Sequence, residues 1–386
     1  MKIAHLCLSA FYIDNYGYQE NLLPRMHKLQ GHDVIIIAST ETFIGNNRLG
    51  YLKPSNYINE DGIPVHRIPY CKLFPLKVAA KLRYYKGLYE ELLWFKPDFI
   101  FMHDSQFGSI QDVVRYLKEH PEVKLNVDGH SDFTNSARGF ISRHILHGIF
   151  YKRFVRKIEP FVTHFFGTLP NRVEFFKDVY GIPTEKTRLL VMGADDNLVK
   201  KAKDTNQRIV IRKKFGISKD TFLVMSGGKF TPEKYDILKV MDAVKELSHY
   251  SNIKMLIFGS LDNNLHFRNT FESKCDGRDI IYAGWIKGND AYNFFEASDL
   301  VIFPGRHSVL WEQAVGQGKP CIFRYQEGHT HIDLGGNCSF IRQSSQDEIM
   351  NLITDMMENY ESYSKIAQTR GLEVFSYYQI AKRSLE

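Results

Sequence analysis

Cysteine is scarce in this sequence, and long apolar runs are missing. The five cysteines are scattered over 386 residues, odd in number and without a Cys-x-x-Cys pair. This pattern argues against a disulfide framework or a zinc site and fits a reducing compartment. No segment approaches the roughly 18 apolar residues of a spanning helix, and the N-terminus opens with a strand-like stretch instead of a signal peptide. We therefore expect a cytoplasmic protein without a transmembrane anchor.

Acidic residues are outnumbered in only one half of the chain. The net charge is +6, and residues 1–193 hold 25 Lys and Arg against 19 Asp and Glu, so this half carries the whole excess. A basic half fits an anionic partner, such as a membrane surface or a phosphorylated substrate, and equally a solvated basic face. Nothing resembles a nucleic-acid recognition fold, so we expect no nucleic acid partner.

Strand-like and helix-like segments alternate along the sequence. Short apolar runs such as Val34–Ala38 and Phe222–Ser226 are bounded by polar residues, as buried parallel strands are. Helical patterns, for example Tyr18–Gln30 and Val78–Phe95, fill the intervals. The pattern predicts an α/β fold with two Rossmann-like, doubly wound parallel sheets, which bind ligands at the carboxyl ends of their strands.

A polar stretch at Gly193–Gln207 separates two similar halves. We predict an N-terminal domain at 1–193 and a C-terminal domain at 194–365, facing each other across a central cleft. The last segment, 366–386, is predicted to be a helix that packs back on the N-terminal domain.

The segment Gly227–Lys234 follows a predicted strand and precedes a predicted helix. Its glycines, Gly228 among them, let the backbone approach a ligand, and Lys229 and Lys234 can converge on a diphosphate. A surface turn with solvated lysines is the alternative interpretation.

A second motif begins where a predicted strand ends at Phe303. We expect His307 or Ser308 to cap a helix whose free N–H groups, near Val309, suit a phosphate. Glu312 lies about one turn further along. Its carboxylate can accept hydrogen bonds from two vicinal ribose hydroxyls.

These motifs together resemble the retaining glycosyltransferases of the GT-B fold, family 4. Ser226–Lys234 is similar to the family's "VGRxxPEKG", and Leu310–Pro320 is similar to "LLEAMACGKPVV". Gly284-Trp285-Ile286 resembles the turn whose backbone commonly reads the base. The resemblance implies a nucleotide-sugar donor, most often a UDP-sugar, bound by the C-terminal half through Trp285 and Ile286 as well as the residues above.

The sequence departs from this family at one important position. The family has two glutamates eight positions apart, and Glu312 matches the second, but Pro304 stands in place of the first. Because that first glutamate contacts the donor sugar in the family, the departure bears on donor specificity, and His307 is our candidate for a partial substitute. Lys229 also replaces the usual arginine, which keeps the charge but loses the bidentate fork.

The first half offers three candidate positions for a site: one glycine loop and the polar ends of two predicted strands. Gly17 lies in a loop that approaches the donor phosphates in the family, and His103-Asp104 ends one strand. Asp128 and His130 end another, where the family carries its "HD" near the reacting sugar. We name Asp128 and His130 as catalytic candidates. The alternative is that these side chains are loop residues whose polar groups only form hydrogen bonds within the protein.

Two segments of the first half mix basic and aromatic residues, at Ser142–Lys157 and Lys72–Lys86. Such helices can dock on anionic lipid headgroups, and family members that extend lipid-linked saccharides use this half so. A plain amphipathic helix fits the pattern equally well. We therefore expect peripheral contact with the inner face of the cell membrane, with the plain helix as the alternative.

The resulting hypothesis is a retaining transfer of a sugar from a nucleotide diphosphate sugar to a saccharide or lipid-linked acceptor in polysaccharide or glycoconjugate synthesis. No cofactor or metal is expected, since two lysines and a helix N-terminus supply the positive charge. The alternatives are a sugar-nucleotide 2-epimerase of the same fold and a non-catalytic, glycosyltransferase-like binding subunit.

Overall fold

The computed structural model describes residues 1–44, 48–72, 75–133, 135–137, 139–232 and 236–386. It divides the chain into two units. Unit 1 comprises Met1–Val191 and Ile380–Glu386, and unit 2 comprises Met192–Gln379. None of the helices in these ranges combines the length and the apolar character that crossing a bilayer requires.

Unit 1 is built on an eight-stranded sheet with the order β10-β9-β8-β7-β1-β2-β6-β5. All neighbours in it are parallel except β5 and β6, and β3 and β4 form a separate antiparallel pair. The strands are β1 (Lys2–Cys7), β2 (Asp33–Ser39), β3 (Glu41–Ile44), β4 (Arg48–Tyr51), β5 (Ser55–Ile58), β6 (Pro64–Ile68), β7 (Phe99–His103), β8 (Lys124–Gly129), β9 (His164–Gly167) and β10 (Thr187–Leu189).

Helices of unit 1 connect the parallel strands. They are α1 (Gln19–Leu29), α2 (Leu76–Leu82), α3 (Leu88–Phe95), α4 (Ile110–Glu119), α5 (Lys152–Ile158) and α6 (Pro170–Tyr180), with a π-helical segment at Ile141–Tyr151 and short 3₁₀ turns at Glu159–Phe161 and Thr184–Lys186. The central strands between them are buried along nearly their whole length, and Phe99–His103 is buried at every position. They therefore read as continuous apolar runs and not as alternating ones.

Unit 2 carries a six-stranded, all-parallel sheet with the order β13-β12-β11-β14-β15-β16. Its elements are α7 (Asp196–Asp204), α8 (Gln207–Lys214), β11 (Phe222–Phe230), α9 (Asp236–Leu247), β12 (Ile253–Leu261), α10 (Leu265–Lys274), β13 (Ile280–Gly284), a 3₁₀ turn (Gly288–Asp290), α11 (Ala291–Ala297), β14 (Leu300–Phe303), α12 (Leu310–Gly316), β15 (Cys321–Arg324), β16 (Cys338–Ile341), α13 (Gln346–Glu358), α14 (Tyr360–Ile366), a π-helical turn (Ala367–Gly371) and α15 (Leu372–Val374). The last helix, α16 (Tyr377–Arg383), runs from unit 2 into the C-terminal part of unit 1.

Both sheets reverse their strand order at one point. In unit 1 the reversal lies between β1 and β7, and in unit 2 it lies between β11 and β14. Successive strands add outward in both directions from such a point, so the connections leave a crevice at the carboxyl ends of the two central strands. The predicted doubly wound parallel sheets are thus confirmed, and each has a place for a ligand.

One predicted helix is wrong. The pattern over Val78–Phe95 predicts a single helix, whereas the structure has α2 and α3 with an extended link between them. Arg83 and Gly87 adopt left-handed backbone angles, with φ of +56° and +94°. The link pairs with an earlier segment, since the Cys71 N–H donates to the Tyr84 carbonyl. Tertiary backbone pairing overrides the helical pattern here.

A buried ion pair fixes the strands that carry the site in unit 2. The Arg212 guanidinium of α8 donates to Asp299 Oδ2 at 2.6 Å, and also to the carbonyls of Ala297 and Thr221 at 2.9 Å. Asp299 Oδ2 accepts in addition from the Leu223 N–H at 2.7 Å. These contacts join α8 to the starts of β11 and β14.

Substituting Arg212→Ala should destabilise unit 2 strongly. The negative charge of Asp299 would stay buried, while the Arg212 guanidinium that donates to its Oδ2 would be lost. Breaking such a pair typically costs about 3 kcal/mol or more of the free energy of unfolding. The matched control is Arg278→Ala, whose side chain is 73% exposed and pairs with Asp279. Chemical denaturation would measure both, and equal losses for the two variants would contradict the assignment.

Candidate functional site

The reversal point of unit 2 is shaped by glycines. Gly228 near the end of β11 has a φ of +129°, and Gly259 on the neighbouring β12 has a φ of +131°. A Cβ on Gly259 would lie 1.8 Å from the Gly228 carbonyl oxygen, so no larger residue fits there without movement. The ideal Cβ position of Gly228 lies 3.6 Å from Leu310, the first residue of α12. The glycines therefore bring the β11 backbone close to the beginning of α12.

A pocket opens between the ends of β11 and β14. It is lined by Ser226, Gly227, Phe230, Ile237, Phe303, Pro304, Gly305, Arg306 and Ser308. Pro304, where the sequence departs from the motif that it resembles, is buried in this lining. Arg306 is exposed at the same place and supplies a cation. The pocket thus combines free backbone, a hydroxyl and a guanidinium, which are suitable groups for an anionic ligand.

Glu312 is the central charged group of this site. Its side chain is fully buried, and Oε1 accepts hydrogen bonds from His307 Nε2 at 2.6 Å and His331 Nε2 at 2.9 Å. Burial by itself would raise the pKa of Glu312, but attraction to the two histidines and their hydrogen bonds hold it well below its ordinary value. Oε2 has no hydrogen-bond partner among the described residues. Glu312 is therefore a buried, ionised carboxylate with one oxygen held by two imidazoles and the other without a partner among the described residues.

The predicted capping of α12 is wrong. The helix begins at Leu310 with Val309 as its N-cap, and no side chain caps it. His307 donates to Glu312, and Ser308 contributes its carbonyl, which accepts from the Trp311 N–H at 2.9 Å. The buried carboxylate attracts the imidazole more strongly than the open helix end does, because an uncompensated buried charge costs more.

The remaining donor-site predictions fall at separate places in unit 2. Lys229 is the exposed penultimate residue of β11, and Trp285, with a 70% exposed side chain, follows β13 together with the half-buried Ile286. Lys234 lies outside the described residues. Lys229, Trp285 and Ile286 thus lie at the carboxyl ends of strands, as the sequence pattern predicts.

His307, Glu312 and His331 together form a group that can hold a metal ion. The ligand atoms of His307, Glu312 and His331 lie within 4.8 Å of one another, the one such group found in the part of the chain that the structure describes. Two imidazoles and a carboxylate suit zinc or a similar divalent ion. The atoms that a metal would use are, however, the ones engaged in the two hydrogen bonds to Glu312 Oε1.

A second buried carboxylate, Asp128, lies near the end of β8, the strand next to the reversal point of unit 1. Its Oδ2 accepts from Gln19 Nε2 at 2.8 Å and lies 3.1 Å from His103 Nδ1, and its Oδ1 accepts from the Asp104 N–H at 3.0 Å. Burial would raise the pKa of Asp128, but the attraction of His103 and His130 lowers it below its ordinary value. Asp128 is therefore ionised at neutral pH.

His130 lies beside Asp128 at the more open end of this group. Its Nε2 is 3.6 Å from Asp128 Oδ2 and 3.9 Å from Glu20 Oε1, and its side chain is 26% exposed. Burial lowers the pKa of His130, but the negative charge of Asp128 raises this pKa, and the net shift is upward. Gly17 is exposed in the loop before α1, the helix that carries Gln19 and Glu20. The structure thus brings the two predicted catalytic residues together.

Several members of these sites escaped the sequence analysis. His331, Arg306, Gln19 and Glu20 carry no recognisable spacing relative to their partners. His331 lies in the loop after β15, and only its closeness to a second histidine at position 329 sets it apart in the sequence. Gln19 and Glu20 follow the predicted glycine loop directly, and that position was the available signal.

Comparison of sequences gives one curated relative. No family model matches the sequence. The lipopolysaccharide 1,2-N-acetylglucosaminetransferase of Salmonella typhimurium is 25% identical over 182 residues, which cover 44% of this chain and 47% of that protein. The matched segment thus spans about half of the relative's length.

Comparison of structures covers the whole chain at low identity. A glycosyltransferase from Rickettsia africae superposes with a TM-score of 0.66 at 12% identity, over 100% of this chain and 96% of that one. Anabaena Alr3699/HepE in complex with UDP gives 0.64 at 14% identity, over 99% and 98%. A UDP-GlcNAc 2-epimerase from Neisseria meningitidis bound to UDP-GlcNAc gives 0.61 at 15% identity, over 100% and 97%. The predicted GT-B fold is confirmed.

The lowered pKa of Glu312 predicts how stability depends on pH. A carboxyl whose pKa is lower in the folded state stabilises the protein above its unfolded pKa of about 4.3, and this contribution is lost as the pH falls further. Glu312→Gln should therefore melt a few degrees below the wild type at pH 6, and the gap should narrow towards pH 3.5. The exposed Glu361→Gln variant is the control and should show no such narrowing. A gap that is constant with pH would contradict the assignment.

Proposed function

We propose that this chain is a glycosyltransferase that moves a sugar from a nucleoside diphosphate sugar to a saccharide or lipid-linked acceptor. The observation that carries the proposal is the buried, ionised Glu312, which two histidines hold by one oxygen while the other oxygen is free. A carboxylate fixed in this way can accept from a ribose diol. Ser308, which lines the glycine-containing pocket, precedes Glu312 by four residues, so we assign the nucleotide's phosphates to the pocket and its ribose to the carboxylate.

The diphosphate end of the donor has several positive groups available in unit 2. We assign it to the pocket backbone near Gly228, to Arg306 and to Lys229 and Lys234. These groups neutralise the charge that develops on the leaving diphosphate, so the proposed reaction needs no metal. We propose UDP as the nucleotide, and its support is the UDP in the Anabaena complex of the same fold.

The acceptor is assigned to unit 1, at Asp128 and His130. Asp128 is ionised and His130 is partly exposed, so the pair can orient a sugar hydroxyl and exchange a proton with it. Retention of the anomeric configuration is proposed from the motif resemblance alone. A role in glycoconjugate assembly is supported by the name of the Salmonella relative, which acts on lipopolysaccharide.

A panel of UDP, GDP, ADP, TDP and CMP should identify the donor base by thermal shift. One diphosphate should raise the melting temperature by several degrees, with or without EDTA, because a ligand that binds only the folded state stabilises it. Glu312→Ala and Lys234→Ala should each abolish the shift, whereas the exposed Glu361→Ala should keep it. Near-unchanged affinity in both site variants would overturn the assignment, and a shift that EDTA removes would favour a metal at His307, Glu312 and His331.

Two other functions are separated by the product formed. A sugar-nucleotide 2-epimerase of this fold would release epimerised nucleotide sugar without any acceptor. A binding subunit would turn over no donor at all. Incubating the protein with UDP-sugars, with and without saccharide acceptors, and analysing the products by NMR distinguishes all three. We expect acceptor-dependent release of UDP.

We further propose that unit 1 contacts an anionic membrane surface through the stretch from Phe140 to Lys157. Its exposed apolar side chains are Phe140, Ile141, Ile145, Ile149 and Phe150, and its exposed basic side chains are Arg143, Arg153, Arg156 and Lys157. Apolar and cationic side chains in one exposed helical stretch are typical of segments that lie in the headgroup region. This contact would bring the acceptor side to a lipid-linked substrate.

Sedimentation with lipid vesicles tests this surface. The protein should bind vesicles that contain anionic lipid and not purely zwitterionic ones. Replacing Arg153 and Arg156 by glutamine should weaken binding roughly 30-fold, at about 1 kcal/mol per basic residue. Lys213 and Lys214, exposed in unit 2, are the matched control pair and should be dispensable. Equal losses in both double variants would indicate that net charge alone, and not this stretch, drives binding.

A further inference from the structure

Three histidines form a continuous hydrogen-bonded chain inside unit 1. His5 on β1, His27 on α1 and His103 at the end of β7 have no solvent exposure. His27 Nδ1 is 2.9 Å from His5 Nε2, and His5 Nδ1 is 3.0 Å from His103 Nε2. We call these residues the histidine chain. One end meets the Ala381 carbonyl at 3.0 Å from His27 Nε2, and the other meets Asp128 at 3.1 Å from His103 Nδ1.

The carbonyl end determines which nitrogens carry protons. A carbonyl oxygen only accepts hydrogen bonds, so His27 Nε2 must donate. The Ser384 hydroxyl, also 3.0 Å from this nitrogen, donates to the same carbonyl at 2.7 Å and leaves its oxygen to accept. A neutral imidazole has one N–H, so His27 Nδ1 accepts from His5 Nε2. By the same argument, His5 Nδ1 accepts from His103 Nε2.

This order leaves no donor for the last contact, between His103 Nδ1 and Asp128 Oδ2, unless His103 carries a second proton. His103 already donates through Nε2, so a neutral His103 would turn a lone pair at Nδ1 towards Asp128 Oδ2. Asp128 accepts there from Gln19 and, through Oδ1, from the Asp104 N–H, as an ionised carboxylate does. Two lone pairs at 3.1 Å repel each other. His103 Nδ1 must therefore carry a proton as well, which makes the ring a cation.

We propose that His103 is a positioning residue that carries a buried positive charge next to Asp128. The order of hydrogen-bond donors along the histidine chain places that charge on His103. The charge keeps Asp128 ionised and oriented towards His130. Its role in sugar transfer rests on the proposed function, whereas its protonation state does not. Because His103 is a like charge for a protonated His130, it reduces the amount by which Asp128 raises the pKa of His130.

Other charged groups around the histidine chain agree with this placement. His32 lies beside His27, with ring centroids 6.1 Å apart. Burial and the neighbouring rings lower the pKa of His5, and burial lowers the pKa of His27 to about 3, so neither ring competes for the proton. Near the other end, Glu20 attracts His130, and burial raises the pKa of Asp104 although His130 and Arg83 oppose that shift. The cation therefore lies at His103, next to the buried and ionised Asp128.

Nitrogen-15 NMR of histidine-labelled protein tests the proposal without any substrate. At pH 7 the spectrum should show two neutral rings protonated at Nε2, unchanged between pH 5 and 8, and one buried ring protonated at both nitrogens. Assignment uses His103→Gln, with His120→Gln, whose side chain is 35% exposed, as the control. In Asp128→Asn the doubly protonated signature should disappear while the two neutral rings remain. Three neutral rings in the wild type, or the opposite tautomer in His5 or His27, would overturn the proposal.

A second readout separates charge from a merely structural role. If His103 is a cation, His103→Gln removes a like charge from the surroundings of His130, and the titration midpoint of His130 should rise by about one pH unit. His120→Gln should leave the midpoint unchanged. A constant midpoint in a folded His103→Gln variant would contradict the charge. A wild-type protein that shows the expected NMR pattern but no transfer activity would instead count against the proposed function.

Discussion

A carboxylate without solvent exposure must find its donors within the protein, and this constraint organises both units. Glu312 and Asp128 are fully buried, and each lies between two imidazoles. In each pair one histidine is enclosed, His331 or His103, and the other is more open, His307 or His130. Burial alone would protonate the two acids, so their ionisation, and with it their capacity to accept from a ligand, depends on the imidazoles.

Histidine donors differ from arginine donors at these sites because the charge of an imidazole can vary. An imidazole can donate as a neutral group or as a cation, so the charge of the site depends on hydrogen-bond order and not only on composition. In unit 1 that order extends from the Ala381 carbonyl to Asp128. In unit 2 the two donors share one oxygen, Oε1 of Glu312. Pro304 stands where the sequence departs from the motif that it resembles, and Glu312 occupies the other acidic position of that motif.

Sequence reasoning succeeded where periodicity and strand ends carry the information. It predicted both sheets and strands such as Val34–Ala38 and Phe222–Ser226, and it named Asp128 and His130, which the structure brings together at the end of one strand. It failed for Val78–Phe95, where left-handed residues and pairing with a distant segment break the helix, and for the start of α12. It also missed His331, because the loop after β15 reaches Glu312 through the fold and not through a spacing along the chain.

The sequence by itself determined the fold class, the glycine-rich turns and the identity of the two acids, since these follow from local pattern and the geometry of parallel sheets. Tertiary structure alone decided which donors meet each acid. Residues as far apart as His27 and Ala381, or Gln19 and Asp128, become hydrogen-bond partners only after the strands assemble. Protonation states depend on those partners and on burial, and neither quantity is a property of the linear chain.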